Sequence, residues 1–317
     1  MKSRGYIVFL GTLGIALLAQ RPAAPEKLLP TSINRTSGHR EEVINSPQAA
    51  QGLARSVGLV FDAENLLPGG NGLLVLQTES AGLATGQAFS EQPVVDNAFT
   101  GFLVGADLLL TTVHDVDLQN ITDLRVVFGF QLNANGGVKT TFSNAEVFQV
   151  KNIEGHGNIL NGASDDWLLL RLDRSPARPA LPIASAPPIV GAALWMFGHP
   201  LGLPMKFVSN GKVTKEAGTS FECNLHASFG NSGSPVVDSA SKNVVGVLQR
   251  AAPALDPVGN GVYVWHWCPL GQNCPTVVTG TPAFAAAVKK ASLMSTIGGY
   301  PRRRPGAQAR FEIGPRG

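Results

Sequence analysis

Gly230-Asn231-Ser232-Gly233-Ser234-Pro235 leads directly into Val236-Val237. The segment reads as a tight turn opening a strand, with a serine at its apex. Glycines on both sides let the backbone turn sharply enough for neighbouring N–H groups to converge. The converging donors would be the N–H groups of Gly230 and Ser232. A serine hydroxyl is a weak nucleophile until a base takes its proton, and an oxyanion needs such donors. Taken alone, the segment would be no more than a Gly/Ser turn.

Two other segments supply what the serine needs. Leu108-Leu109-Leu110-Thr111-Thr112-Val113-His114-Asp115 is an apolar strand that ends in a histidine. Such an ending places an imidazole, a base with a pKa near neutrality, at the rim of a packed sheet. Asp165-Asp166-Trp167-Leu168-Leu169-Leu170-Arg171-Leu172 is an aspartate pair heading a second apolar strand. A buried carboxylate there can accept the second ring N–H and select the tautomer. Asp166 directly precedes the apolar run and is the expected partner; Asp165 and Asp115 are its rivals.

The chain around these segments is all-β. Charged residues make up 15% of the 317 residues, against 36 glycines and 22 prolines, a balance that suits short strands and turns. Strands are predicted near 100–104, 107–113, 124–131, 145–152 and 167–172, with earlier candidates at 58–61 and 73–76. A Pro-rich connector bearing Pro176, Pro179, Pro182, Pro187 and Pro188 follows. A second set is predicted near 193–197, 206–215, 220–225, 234–237, 244–249 and 261–267. Two such groups imply two antiparallel six-stranded β-barrels. A short helix is expected from Ser46-Pro47 to about Arg55. Another opens at Thr281-Pro282, with Phe284, Val288 and Leu293 on its buried side.

In the order His114, Asp166, Ser232, and across about Phe99 to Trp267, the sequence resembles the trypsin-like serine protease superfamily. Asn231 before the serine looks like the glutamyl-endopeptidase (V8-like) and bacterial trypsin-like branch. Phe197-Gly198-His199-Pro200-Leu201-Gly202-Leu203-Pro204, Gly211-Lys212-Val213 and Ala98-Phe99-Thr100-Gly101-Phe102-Leu103-Val104 are similar to it too. The resemblance implies a chymotrypsin-like fold and a serine endopeptidase that acts on protein or peptide substrates without a cofactor or metal. Ser232 would attack the scissile carbonyl, His114 would carry the proton, Asp166 would orient His114, and Gly230 and Ser232 would hold the oxyanion. The alternative is a catalytically inactive binding protein on the same fold.

Departures from the family pattern bear on activity and specificity. Asp115 stands where many relatives have a disulfide cysteine. Asn231 cannot receive a new N-terminal ammonium, so trypsinogen-style activation is not expected. The resemblance places His226 at the base of the substrate pocket, with Gln249, Arg250 and Ala251 on its far wall. His226 with Arg250 would favour an acidic substrate side chain; the equal alternative is a solvated Arg250 and a merely buried His226. His199 is expected to shape the loop beside the cleft.

At the N-terminus, Lys2 and Arg4 precede the uncharged run Gly5 to Leu18, the pattern of an export signal. The expected organisation is a signal peptide (1–20), a leader or pro-segment (21–55), an N-terminal barrel (56–178), a C-terminal barrel with its helix (179–297) and a disordered basic tail (298–317). The mature protein is thus expected to be a secreted or periplasmic monomer without nucleic-acid or membrane partners, consistent with a net charge of only +3. A membrane-anchored quality-control protease would instead require an uncleaved signal. Cys268 and Cys274 can pair, which would leave Cys223 a lone thiol.

Overall fold

In Leu108–Thr111 and Leu168–Leu172 every residue is buried, because each strand faces two cores. Side chains alternate across a strand. Leu109, Leu168, Leu170 and Leu172 therefore enter one hydrophobic core, and Leu108, Leu110 and Leu169 enter another. The first core fills a barrel. The second lies between that barrel and the rest of the chain, where Phe197, Phe207, Val244 and Val247 join it. This double burial is why both strands read as unbroken apolar runs rather than as polar–apolar alternation.

A computed structural model describes residues 40–158, 165–251, 255–266 and 275–297. The first barrel closes in the order Val147–His156, Leu168–Leu172, Leu108–Thr111, Phe99–Leu103, Val57–Asp62 and Leu124–Phe128. The second runs Lys206–Ala217, Ala193–Gly198, Pro235–Asp238, Val244–Arg250, Thr276–Gly280 and Ser220–Cys223, and the last strand pairs back onto the first. All neighbours are antiparallel. The molecule thus has the expected all-β architecture of two closed six-stranded barrels.

Three details differ from the sequence reading. The sixth strand of the second barrel is Thr276–Gly280, not 261–267. Val262–Trp265 instead forms a hairpin with Leu255–Gly259. Thr276–Gly280 is a β-branched, fully buried run, and its signal was masked because it passes straight into the helix Thr281–Ile297. On that helix Phe284, Val288 and Ala291 are buried while Leu293 is exposed. Position 293 lies nine residues from 284, half a turn away from the buried side. Leu73–Leu76 is a strand outside the barrels, paired with Leu66–Pro68 and Thr141–Ser143.

The short helix expected from Ser46-Pro47 to about Arg55 is present as Gln48–Ala54. Ala50 and Ala54 from this helix, with Val43, are buried in the interbarrel core. Just before it, Arg40–Glu42 adds an edge strand to Lys206–Val208 of the second barrel. Residues 40–55, the later part of the expected leader, are therefore packed rather than loosely held. The signal peptide, the rest of the leader, the basic tail, Cys268 and Cys274 lie outside the described residues.

An ion pair locks the edge strand in place. Lys206 is fully buried, and its Nζ donates to Glu42 Oε2 at 3.1 Å, Gln92 Oε1 at 2.7 Å and Pro204 O at 2.8 Å. Burial lowers the ammonium to about 8 against the pull of Glu42. Removing one partner of such a pair strands the other charge in the interior. Lys206→Met is expected to cost about 3–5 kcal/mol in urea unfolding. Lys206→Met with Glu42→Gln should recover part of that loss; no recovery would show that the pair does not couple.

Candidate active site

The imidazole of His114 is positioned by backbone as much as by its own contacts. The strand Leu108–Thr111 is tied to its neighbour at its end by Thr111 Oγ1, which donates to Thr100 O at 2.7 Å. The chain then passes over Asp166. The N–H groups of Val113 and His114 donate to Asp166 Oδ1 at 2.9 and 3.2 Å, and His114 Nδ1 lies 2.5 Å from Asp166 Oδ2. One buried carboxylate, 2% exposed, thus grips both the loop and the ring. Asp165 points elsewhere, accepting from Thr219 Oγ1 at 2.5 Å.

Asp166 is held in turn by the second barrel. Fully buried Thr279 accepts from Asp166 N–H and donates to Asp166 O, both at 3.3 Å. Sequence reasoning missed Thr279 because it missed its strand; a buried hydroxyl in the run Thr276-Val277-Val278-Thr279 was the available signal.

Ser232 sits on the turn that precedes Pro235–Asp238. Asn231 N–H closes the turn onto Ser228 O at 3.0 Å, and Ser234 N–H returns to Asn231 O at 2.9 Å. Gly230 has φ +81°, a conformation that favours glycine. Gly233 has the same φ, and a Cβ there would lie 2.0 Å from Thr100 O. Thr100 sews the turn to the first barrel: its N–H donates to Ser232 O at 3.0 Å, and its Oγ1 donates to Gly230 O at 2.8 Å. Among the described residues, the N–H groups of Gly230 and Ser232 have no internal acceptor. They are free to donate to an oxygen at the turn.

These supports bring His114 Nε2 within 3.2 Å of Ser232 Oγ. A second oxygen is equally near: Asp115 Oδ1 is also 3.2 Å from Nε2. Burial works to lower the ring's pKa. Hydrogen bonds and charge from Asp115 and then Asp166 override it and raise the ring to about 10. His199 behaves oppositely: it is fully buried, burial takes it down to about 3, and its Nδ1 meets Leu203 O at 3.1 Å. It backs the turn as a neutral ring. His266 contacts Asp256 at 3.0 Å, away from these groups, and His156 is exposed; His39 lies outside the described residues. Cys223 is buried and unpaired, and burial pushes its thiol up to about 12, which keeps it from being a nucleophile at neutral pH.

Beside His114 and Ser232 opens a cleft of ≈ 170 Å³, walled by Ser228, Phe229, Leu248, Gln249, Arg250 and Ala251. Three of the four expected pocket residues are therefore there. His226, half-buried, is not among these lining residues; its neighbours Leu225 and Ala227 enter the barrel core, and Ser228 and Phe229 line the cleft. Arg250 is exposed at the cleft, and Phe229 is 74% exposed. Among the described residues, no group of three or more His, Cys, Asp or Glu is placed to hold a metal ion. No helix among them is long and apolar enough to cross a membrane.

Residues 99–247 match the family model of the trypsin-like peptidase domain. No curated protein matches the chain. Among solved structures, a Glu endopeptidase in complex with MPD is 17% identical, covering 80% of this chain and 97% of that one, with a TM-score of 0.49. The active form of the Rv3671c protease from M. tuberculosis is 15% identical, covering 86% and 94%, with a TM-score of 0.47. The serine endoprotease from Yersinia pestis is 13% identical, covering 78% and 66%, also with a TM-score of 0.47.

Proposed function

We propose that this chain, which carries a trypsin-like peptidase domain over residues 99–247, is an exported serine endopeptidase. The reading rests on one observation, the contact of Asp166, His114 and Ser232 in series, at 2.5 and 3.2 Å. In this scheme a neutral His114 takes the Ser232 proton as Oγ attacks the scissile carbonyl. The N–H groups of Gly230 and Ser232 donate to the oxyanion. The imidazolium, stabilised by Asp166, then protonates the leaving amine. Water, with His114 again as base, releases the acyl group. Every proton is handled by groups of the chain itself, so the scheme needs no cofactor or metal.

Specificity for an acidic residue before the scissile bond is supported by Arg250 at the cleft, which can offer charge-assisted hydrogen bonds to a carboxylate. Of the two residues expected to favour a carboxylate, Arg250 is the one that lines the cleft. Export is supported by the sequence of residues 1–20. Because residues 40–55 are packed, any removal of a leader is expected to fall before Arg40. N-terminal sequencing of secreted protein checks this; a mature start after Arg55 would overturn it.

The experiment that tests the whole reading is labelling with a serine-directed fluorophosphonate, together with peptide profiling. Wild type is expected to label at Ser232 and to cleave after Glu or Asp. Cleavage chiefly after Lys or Arg would remove the acidic preference. A second reading, the catalytically silent homologue, is favoured by one feature: Asp115 competes with Ser232 for Nε2. Absence of labelling at any pH would support it.

A further inference from the structure

We propose that Asp115 is a positioning residue of this site, one whose carboxylate holds the Nε2–H of His114 and so sets the pH at which the ring is free to act as a base. The inference rests on the reading of His114 as the base for Ser232.

The geometry carries it. An imidazole nitrogen has a single in-plane direction for a hydrogen bond. At Nε2 that direction is contested by Ser232 Oγ and Asp115 Oδ1, each at 3.2 Å. An ionised carboxylate can only accept. Asp115 is therefore satisfied at Nε2 only when that nitrogen bears a proton. Nδ1 already donates to Asp166, so the ring gripped on both sides is the imidazolium. An imidazolium can protonate a leaving group but cannot take the proton of Ser232.

The carboxylate is not a freely swinging one. Thr112 Oγ1 donates to Asp115 Oδ2 at 2.8 Å, and Thr112 is fully buried just past the strand Leu108–Thr111. The opposing charges are few. The 165–172 segment presents Asp166 to the ring, and the loop after Thr112 presents Asp115. The 228–234 turn presents only the neutral Ser232. Val244–Arg250 brings the exposed guanidinium of Arg250 to the same cleft. Two carboxylates thus face the ring against one solvated cation. With 26% exposure, the Asp115 side chain borders solvent and has room to turn away once the ring is neutral.

The sign follows directly. A proton favoured on the ring is kept as pH rises past the ordinary histidine value and lost well above it. Acylation, which needs the neutral ring, therefore rises with pH through that higher range. Asp115→Asn keeps the size and the Thr112 contact while removing the charge. It is expected to lower the midpoint of the kcat/KM–pH profile by one pH unit or more, and to raise kcat/KM at pH 7 roughly ten-fold. Asp115→Glu, which keeps the charge, should hold the midpoint near that of wild type.

The same titration is to be read without catalysis, from the imidazole NMR signals of His114 in wild type and Asp115→Asn. A ring midpoint that does not move on loss of the Asp115 charge overturns the inference, even if both proteins hydrolyse peptides. A midpoint that falls while neither protein hydrolyses or labels at any pH upholds the Asp115 contact and defeats the peptidase reading instead. If Asp115→Asn does not fold, Asp115→Ser carries the same two readouts.

Discussion

Replacing Ser232 by alanine is expected to lower peptide hydrolysis by about 10⁶-fold while leaving the fold intact. The loss is large because the hydroxyl is the atom that forms the acyl bond; His114 and Asp166 have nothing to activate once it is gone. What would remain is the slow attack of water, helped by the N–H groups of Gly230 and Ser232, which the substitution does not touch. The structural cost is small. Among the described residues the only hydrogen-bond partner of Ser232 Oγ is His114 Nε2, so no buried group is left unpaired. A change within about 0.5 kcal/mol in unfolding free energy is expected. Rate and stability must be measured together. Hydrolysis by Ser232→Ala near the wild-type rate would remove Ser232 as the nucleophile, however well the geometry fits.

Asp166→Asn is expected to cost about 10⁴-fold in kcat with a modest effect on substrate binding, the loss this exchange causes in serine protease triads. The mechanism can be read from the contacts. Oδ1 accepts the N–H groups of Val113 and His114 at 2.9 and 3.2 Å, and an asparagine oxygen can go on doing so. The amide nitrogen must then face Nδ1, which lies 2.5 Å from the present Oδ2. A donor there forces Nδ1 to accept, and the ring proton moves to Nε2. Nε2 can no longer take the proton of Ser232. Asp165→Asn provides the control. Its carboxylate meets Thr219 rather than His114, so activity should change little. Equal losses in the two variants would mean that general damage to the segment, not the tautomer, is being measured.

Much of this was visible in the chain itself. Leu108 to His114 and Asp166 to Leu172 each read as a strand with a polar residue at one end, because strand formation and termination depend on neighbouring residues. The turn around Ser232 was equally legible, since Gly230 and Gly233 occupy positive-φ positions that favour glycine. That these two strands are buried on both faces, and which core each face meets, came only from the packing.

Other features depended on contacts that no local pattern announces. Thr276–Gly280 was hidden because a strand that runs into a helix without a turn lacks the usual punctuation. Thr279 behind Asp166, and Lys206 beneath Glu42, join residues far apart in the chain. His226 was assigned to the pocket by counting back from Ser232, and a count cannot tell that Ser228 is a residue of that stretch that lines the cleft.

From sequence alone came the all-β pattern, the two groups of strands and the three side chains able to work together, since these follow from short-range sterics and side-chain chemistry. The folded chain alone decided which of three aspartates reaches which ring nitrogen, and what walls the cleft. Hydrogen bonds form over about 3 Å, and only the packing of two barrels against each other determines which distant groups come that close.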